Sequence, residues 1–293
     1  MHRFPEGPGT GPGRFVSEGG PDGNEDPMST SDGTDDRTQM FDRLSDHYRR
    51  FRPGYPDSVL DRLRAHVLDG ARGSWPYPWL LLDVGSGTGI STRSLRHGFG
   101  PGPRVVGVEP GHAMRGAAGG GEDVEYVDGR AEEVPFPDAS AVLVLAAQAV
   151  HWFDRPAFYA EAARLLVPGG TVAVLDNDRD WTASAFVDAY EALMEEHGDD
   201  YRRDYRAFDT AGEMEAQDGL ADAVEFTAAW TRELDPDGLV GTALSSSRMA
   251  AVVRNIGEER VRAAVTALAA EHFPDGNVRI PYLTRLRLAR RVP

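Results

Sequence analysis

Three glycines at alternate positions, Gly85, Gly87 and Gly89, follow directly on the apolar run Leu80, Leu81, Leu82 and Val84. A short continuous apolar run suits a strand buried on both faces, and the glycines mark where it ends and turns. Lacking Cβ atoms, that backbone takes positive φ at little cost and brings its N–H groups close to a ligand. Ile90 to Arg96 reads as the helix that follows. A strand, a glycine turn and a helix N-terminus in succession make a cradle for a nucleotide.

Spacing narrows the choice of nucleotide. The dinucleotide fingerprint G-x-G-x-x-G needs a glycine at position 90, where the chain has Ile90; its own pattern is G-x-G-x-G. A second apolar run, Val105 to Val108, ends in Glu109. A carboxylate there is placed to accept hydrogen bonds from both hydroxyls of a ribose and disfavours a 2′-phosphate. An ordinary glycine-rich strand end is the competing reading. The DVGSGTG run followed by VVGVEP resembles motifs I and II of the class I S-adenosylmethionine (SAM)-dependent methyltransferases. The resemblance implies SAM as cofactor, held by Asp83, Gly85, Ser86, Gly87, Thr88, Gly89, Glu109, Pro110 and Met114.

The surrounding elements repeat one unit. His112 to Ala118 reads as a second helix, and Val124, Tyr126 and Val127 as a third strand. Ala141 to Ala146 makes a fourth strand; Asp154 caps a helix that Gly169 and Gly170 end, and Thr171 to Leu175 makes a fifth strand. Five strand-and-helix units with short links specify a parallel, doubly wound α/β sheet of Rossmann-like architecture. Ala223 to Trp230 and the alternating residues from Val278 to Leu288 read as two further strands, the antiparallel C-terminal edge that class I methyltransferases have. Helical lid insertions occupy the remainder.

Ligands of open α/β sheets bind beyond the carboxyl ends of the strands, which puts Gln148, Ala149, His151 and Trp152 after strand four next to the reacting group. His151 has the ordinary pKa of a general base near neutrality; a hydrogen bond that anchors its loop is the alternative role. The segment YRRFRPGYP, residues 48–56, together with QAVHWFD, residues 148–154, resembles the methyltransferase type 11 group, including enzymes similar to trans-aconitate methyltransferases. That resemblance implies an N-terminal arm closing over the methionine end of SAM, with Tyr48, Arg52 and Tyr55 near its carboxylate or methyl group. It also implies that Gly129, Arg130, Ala131 and Glu132 lie beside the adenine, Ala131 offering a backbone N–H; Asp128 and Glu132 are both candidates for the exocyclic amine. In GLVGTALSSSRMA, Arg248 stands where the family pattern leads one to expect tyrosine, so Arg248 is a candidate for meeting a substrate carboxylate.

The long segment after strand five carries Trp181, Phe186, Tyr190, Tyr201, Tyr205 and Phe208, too many residues for a connector, and reads as a mostly helical lid with Trp181 towards the substrate. Arg202, Arg203 and Arg206 either clamp an anionic group or pair with Asp200 and Asp204 on a solvated face.

Composition removes several function classes. A net charge of −16 argues against nucleic acid as a partner. The chain has no cysteine, and all 31 basic residues are arginine, so thiolate zinc sites, Schiff-base lysines and a Walker A lysine are excluded. No histidine spacing suits a metal, and none is expected. No apolar run reaches membrane-spanning length, which points to a cytoplasmic protein without a membrane partner. The organisation expected is a disordered segment 1–38, a helical arm 39–78, a SAM-binding core 79–176, a lid 177–221 and a C-terminal part 222–293. The reaction expected is methyl transfer to a small molecule, such as a carboxylic acid or secondary metabolite. SAM-dependent chemistry without methyl transfer, or a macromolecular acceptor, are the alternatives. Nothing in the sequence sets the oligomeric state.

Overall fold

A computed structural model describes residues 53–71, 75, 77–119 and 123–292. The expectations for segment 1–38, for the helix near Met40 and for Tyr48 and Arg52 lie outside the described residues.

Strand β1 (Leu80–Val84) is buried at all five positions. Leu80, Leu82 and Val84 pack into one apolar cluster with Val106, Val144 and Phe158, while Leu81 enters a second one with Leu63, Leu95 and Leu143. Successive side chains of a strand face opposite sides, so this one strand serves the cores on both faces of the sheet. Its neighbours β2 (Arg104–Val108) and β4 (Ala141–Ala147) run parallel to it. Outside them lie β3 (Val124–Val127) and β5 (Leu166–Arg179), also parallel. The seven-stranded order is β3-β2-β1-β4-β5-β7-β6, where β7 (Val278–Arg291) is antiparallel to both β5 and β6 (Leu220–Leu234). The faces are covered by α1 (Asp57–Gly70), α2 (Ile90–Phe99), α3 (His112–Ala118) and α4 (Arg155–Leu165). The chain winds one way from β1 to β2 and the other way into β4, which leaves a crevice beyond the carboxyl ends of β1 and β4.

Several boundaries differ from the sequence reading; β5 begins at Leu166 rather than Thr171 and β6 spans Leu220–Leu234 rather than Ala223–Trp230. Helix α4 stops at Leu165, ahead of Gly169 and Gly170, because the peptide before Pro168 disfavours helix and Leu166 is already extended (ψ 137°). Strand β5 runs on past Leu175 to Arg179, through residues that are no longer apolar, because each of them from Asp176 to Arg179 pairs with β7. Asp154 does cap α4, accepting the Ala157 amide hydrogen at 3.2 Å.

The projecting ends of β5, β6 and β7 carry a second helical layer of α5 (Ala185–His197), α7 (Pro236–Leu244), α8 (Ser247–Ile256) and α9 (Glu258–His272), whereas α6 (Thr210–Glu215) packs its Met214 into the cluster of Phe158 and Leu220 on the main sheet. Phe186, Tyr190 and Met194 of α5 share one apolar cluster with Leu239, Met249, Val252 and Val265 of the last three helices and with Ile280 and Tyr282 of β7. The segment 177–221 is less helical than its sequence suggests: residues 198–209 are turns, and Tyr201, Tyr205 and Phe208 lie in them. Among the described residues no helix is long and apolar enough to cross a membrane.

Candidate functional site

At the end of β1 the chain turns through Gly85, Gly87 and Gly89, with φ of 71°, 53° and 81°. The amide hydrogens of Gly85 and Ser86 go to the Val108 carbonyl at 2.8 and 3.1 Å, so the turn is tied to the end of β2. A Cβ on Gly85 would lie 2.7 Å from the Cβ of Ala149, whereas one on Gly87 would meet nothing within 4 Å. The turn therefore packs against the chain leaving β4 on one side and fronts open space on the other.

Two carboxylates hold this turn. Glu109 accepts the Gly87 amide hydrogen at 2.9 Å through Oε2 and that of Gly111 at 2.8 Å through Oε1. Asp83 lies fully buried beneath the turn, where its Oδ2 accepts the hydroxyls of Ser91 at 2.7 Å and Thr92 at 2.6 Å and fastens α2 to β1. Burial pushes the Asp83 carboxyl up to about 6; the two hydroxyl donors oppose that rise and the Glu109 charge adds to it.

The open space is a cavity of about 280 Å³. Its wall includes Gly85, Ser86, Gly87 and Thr88 from the turn, Glu109, Pro110 and Met114 beyond β2, and Arg130, Ala131 and Glu132 beyond β3. Gln148, Ala149 and Trp152 beyond β4 and Tyr55 near the described N-terminus also belong to it. Of the expected cofactor residues, Asp83, Gly89 and Gly129 stand behind this wall rather than on it. Gly89 gives the N-cap of α2 its left-handed φ, and a Cβ on Gly129 would press on Val108 and Pro135. The two acidic candidates beyond β3 separate here: Glu132 is on the wall and accepts the Asp154 amide hydrogen at 3.0 Å, while Asp128 is exposed and pairs with Arg115 at 3.1 Å.

A smaller cavity of about 70 Å³ shares Gln148, Trp152, Asn177, Arg179 and Ser246 with the first. It brings together His151, Trp152, Trp181 and Arg248, all expected on the substrate side. The His151 ring lies 4.9 Å from that of Trp152 and 5.3 Å from that of Tyr205, the latter edge to face. Gln148 has a positive φ of 58°, uncommon outside glycine, and its Nε2 donates to the Asn177 carbonyl at 2.9 Å. Arg202 pairs at the surface with Asp204, Arg203 with Asp188 and Glu195, and Arg206 is drawn inward to Asp178 at 3.1 Å.

Sequence reasoning missed Asn177 and Arg179 because it ended β5 at Leu175. Asp176, Asn177, Asp178 and Arg179 are four polar residues in a row, so no period-two signal carried the strand past Leu175. Asn177 Nδ2 donates to the Gly54 carbonyl at 2.9 Å, and its Oδ1 accepts the Thr284 hydroxyl at 2.5 Å. Arg179 pairs with the buried Glu191 at 2.6 Å, and Glu191 also accepts the Tyr201 hydroxyl at 2.7 Å. Tyr282, opposite Arg179 on β7, lines the larger cavity as well.

The larger cavity suits an adenosyl sulfonium. A backbone without side chains fronts it at Gly87, an acid stands at the end of β2 for a ribose, and Ser86 and Thr88 on its wall have hydroxyls with no partner among the described residues. Comparison with known proteins points the same way. Residues 82–174 match the family model "Methyltransferase domain". An uncharacterized methyltransferase of Mycobacterium bovis is 29% identical over 255 residues, covering 85% of this chain and 94% of that protein. A protein of Dictyostelium discoideum named "Putative methyltransferase" is 34% identical over 148 residues, and the match spans about half of each chain (50% and 51%). Among solved structures, a "Putative Type II Methyltransferase" from Anaeromyxobacter dehalogenans superposes with a TM-score of 0.57 at 26% identity, over 83% of this chain and 99% of that one.

Proposed function

We propose that this chain, a class I SAM-dependent methyltransferase, transfers the methyl group of SAM to a small-molecule acceptor held in the smaller cavity. The observation that carries the reading is the common wall: Gln148, Trp152, Asn177, Arg179 and Ser246 border both cavities, so a cofactor in one and an acceptor in the other meet there. SAM supplies an electrophilic methyl group on a sulfonium, and its transfer is an in-line displacement. What the protein contributes is placement of the acceptor atom in a site closed to water.

In this reading the cofactor is bound by the glycine turn, by Glu109 at the ribose hydroxyls, by Pro110 and Met114, and by Arg130, Ala131 and Glu132 beside the adenine. Tyr55 and Gln148 border its methionine end. Asp83, Gly89 and Gly129 act from behind the wall by fixing the turn and the loops. On the acceptor side Trp152 and Trp181 exclude water. His151 takes the proton of a hydroxyl, amine or carbon acceptor as the bond to the methyl group forms. A carboxylate acceptor is already ionised and needs no base. Helix α5, the turns at 198–209 and the layer α7 to α9 form the cover of this acceptor space. The net charge of −16 favours small acceptors over nucleic acid, and carboxylic acids and secondary metabolites are the classes to try first. Absence of cysteine and of long apolar helices among the described residues supports a cytoplasmic setting.

The test is turnover. The full chain is incubated with methyl-labelled SAM and a library of small acids, phenols and amines, and S-adenosylhomocysteine and labelled product are counted together. Stoichiometric release of both supports the proposal. Product formed without S-adenosylhomocysteine would replace it with a different SAM-dependent reaction. For an acceptor that must lose a proton, His151→Gln lowers kcat by about a hundredfold or more while leaving SAM affinity in place; an unchanged kcat would return His151 to a loop anchor.

A further inference from the structure

We infer that the smaller cavity is an anion receptor in which Arg248 holds a carboxylate of the acceptor, at the end remote from the transferred methyl group. The inference rests on the acceptor-pocket reading above and names the chemistry of what that pocket takes.

Charge is the first observation. The chain carries −16 overall, yet the described residues lining the smaller cavity include four arginines, Arg179, Arg203, Arg206 and Arg248, against two carboxylates, Asp178 and Glu191. Arginines concentrated on one concave wall of an acidic chain favour an anionic ligand wherever one of them is left without a carboxylate.

Pairing is the second. Arg179 is held by Glu191, Arg203 by Glu195 and Asp188, and Arg206 by Asp178. No carboxylate of the described residues pairs with Arg248. Its guanidinium lies instead against aromatic rings, 4.3 Å from the centroid of Tyr205, 5.3 Å from Trp152 and 6.0 Å from Tyr201, and its Nε is buried with no acceptor among the described residues. Ring faces stabilise the cation but take up none of its in-plane N–H donors. The rings thus orient a guanidinium fork and leave its hydrogen-bonding capacity unspent, and a carboxylate is the group whose two oxygens match such a fork.

Position is the third. Arg248 sits in the first turn of α8, whose N-cap Ser246 accepts the Met249 amide hydrogen, and Ser246 and Ser247 also line the cavity. The positive end of that helix adds to the field of Arg248. Arg248 borders the smaller cavity and not the larger one, so an anion held there lies away from the cofactor. The same fork also matches phosphate, which the titration therefore includes as a competitor.

The experiment titrates the full chain, saturated with S-adenosylhomocysteine, with short mono- and dicarboxylates from acetate to phthalate, with the matching neutral amides, and with inorganic phosphate. At least one acid is expected to bind and its amide to bind much more weakly. Arg248→Gln should weaken that acid about tenfold or more, with Arg248→Lys in between, while S-adenosylhomocysteine affinity stays within about twofold and reports that both variants are folded. The inference is overturned if acid and amide bind alike, if phosphate outbinds every acid, if Arg248→Gln binds the acid as well as wild type, or if no acid binds to the loaded protein. Failure of S-adenosylhomocysteine to bind wild type would instead remove the methyl-acceptor reading and this inference with it.

Discussion

The Glu109 carboxylate accepts the Gly87 amide hydrogen at 2.9 Å, so the acid that ends β2 and the glycine turn that ends β1 hold one another in place. The same carboxylate accepts the Gly111 amide hydrogen at 2.8 Å and borders the cavity that suits the cofactor.

Glu109→Ala removes the ribose acceptor and loosens the glycine turn together. Hydrogen bonds to a charged acceptor contribute about 1.5–3 kcal/mol, so SAM and S-adenosylhomocysteine should each bind about tenfold to a hundredfold more weakly. Calorimetric titration checks this; affinities equal to wild type would take Glu109 out of the cofactor site.

Asn177 connects the cavity floor to the chain preceding α1. Its Nδ2 donates to the Gly54 carbonyl and its Oδ1 accepts the Thr284 hydroxyl, while Trp230 Nε1 donates to the same hydroxyl at 2.8 Å. Asn177→Ala should release Pro53 and Tyr55 from the wall and cost about 1–3 kcal/mol through the partners it strands. Faster amide exchange near Tyr55 together with severalfold weaker SAM binding is the expected pair of results. Faster exchange without any change in affinity would show that this segment does not contact the cofactor.

Much of the core and the glycine turn was legible in the sequence because the same residues carry both a local and a global signal. Leu80, Leu81, Leu82 and Val84 are apolar since both faces of β1 are buried, and the glycines follow because the turn needs positive φ. The acceptor side was less legible. Asn177 and Arg179 lie on a strand whose polar end is set by pairing with β7, more than a hundred residues further along the chain, and no local pattern announces that partner. Arg206 was read with its neighbours Asp200 and Asp204, yet it turns inward to Asp178, because turns at 198–209 replace the helix that would have put it on an outer face. Arg248 was noticed as a departure from a pattern, but its three aromatic neighbours come from two other parts of the chain.

Arg179 and Glu191 form an ion pair at 2.6 Å in which Glu191 is only 2% exposed. Burial opposes the Arg179 charge and Glu191 restores it, leaving the guanidinium firmly protonated. Glu191→Gln removes the compensating charge and should destabilise the fold by about 3–5 kcal/mol, whereas Arg179→Met with Glu191→Leu should recover most of that loss. Urea unfolding of the single and double variants decides it; a single variant as stable as wild type would mean water already screens the pair.

Asp83 sets a pH dependence opposite to that of an ordinary paired carboxylate. Its folded value of about 6 lies above the usual 3.8, so the folded chain holds a proton that the unfolded chain releases. The contribution is full below about pH 4 and is lost as pH rises through about 6. Asn at this position does not titrate and can still accept from Ser91 and Thr92. The stability of wild type relative to Asp83→Asn should therefore fall by up to about 3 kcal/mol between pH 4 and pH 7, then level off. Denaturant unfolding at several pH values measures the difference; a difference that rises with pH would contradict the burial argument.

The most direct measurement is calorimetric titration of the full chain with SAM and with S-adenosylhomocysteine, wild type beside Gly87→Val. A side chain at Gly87 meets no protein atom within 4 Å and so occupies the space assigned to the cofactor, and valine strains the positive φ there. Wild type should bind both ligands, and the variant should bind neither at concentrations that saturate wild type while keeping a Tm within a few degrees of it. A folded wild type that binds neither ligand, or a variant that binds both as wild type does, would contradict the placement of the cofactor on which the whole functional reading rests.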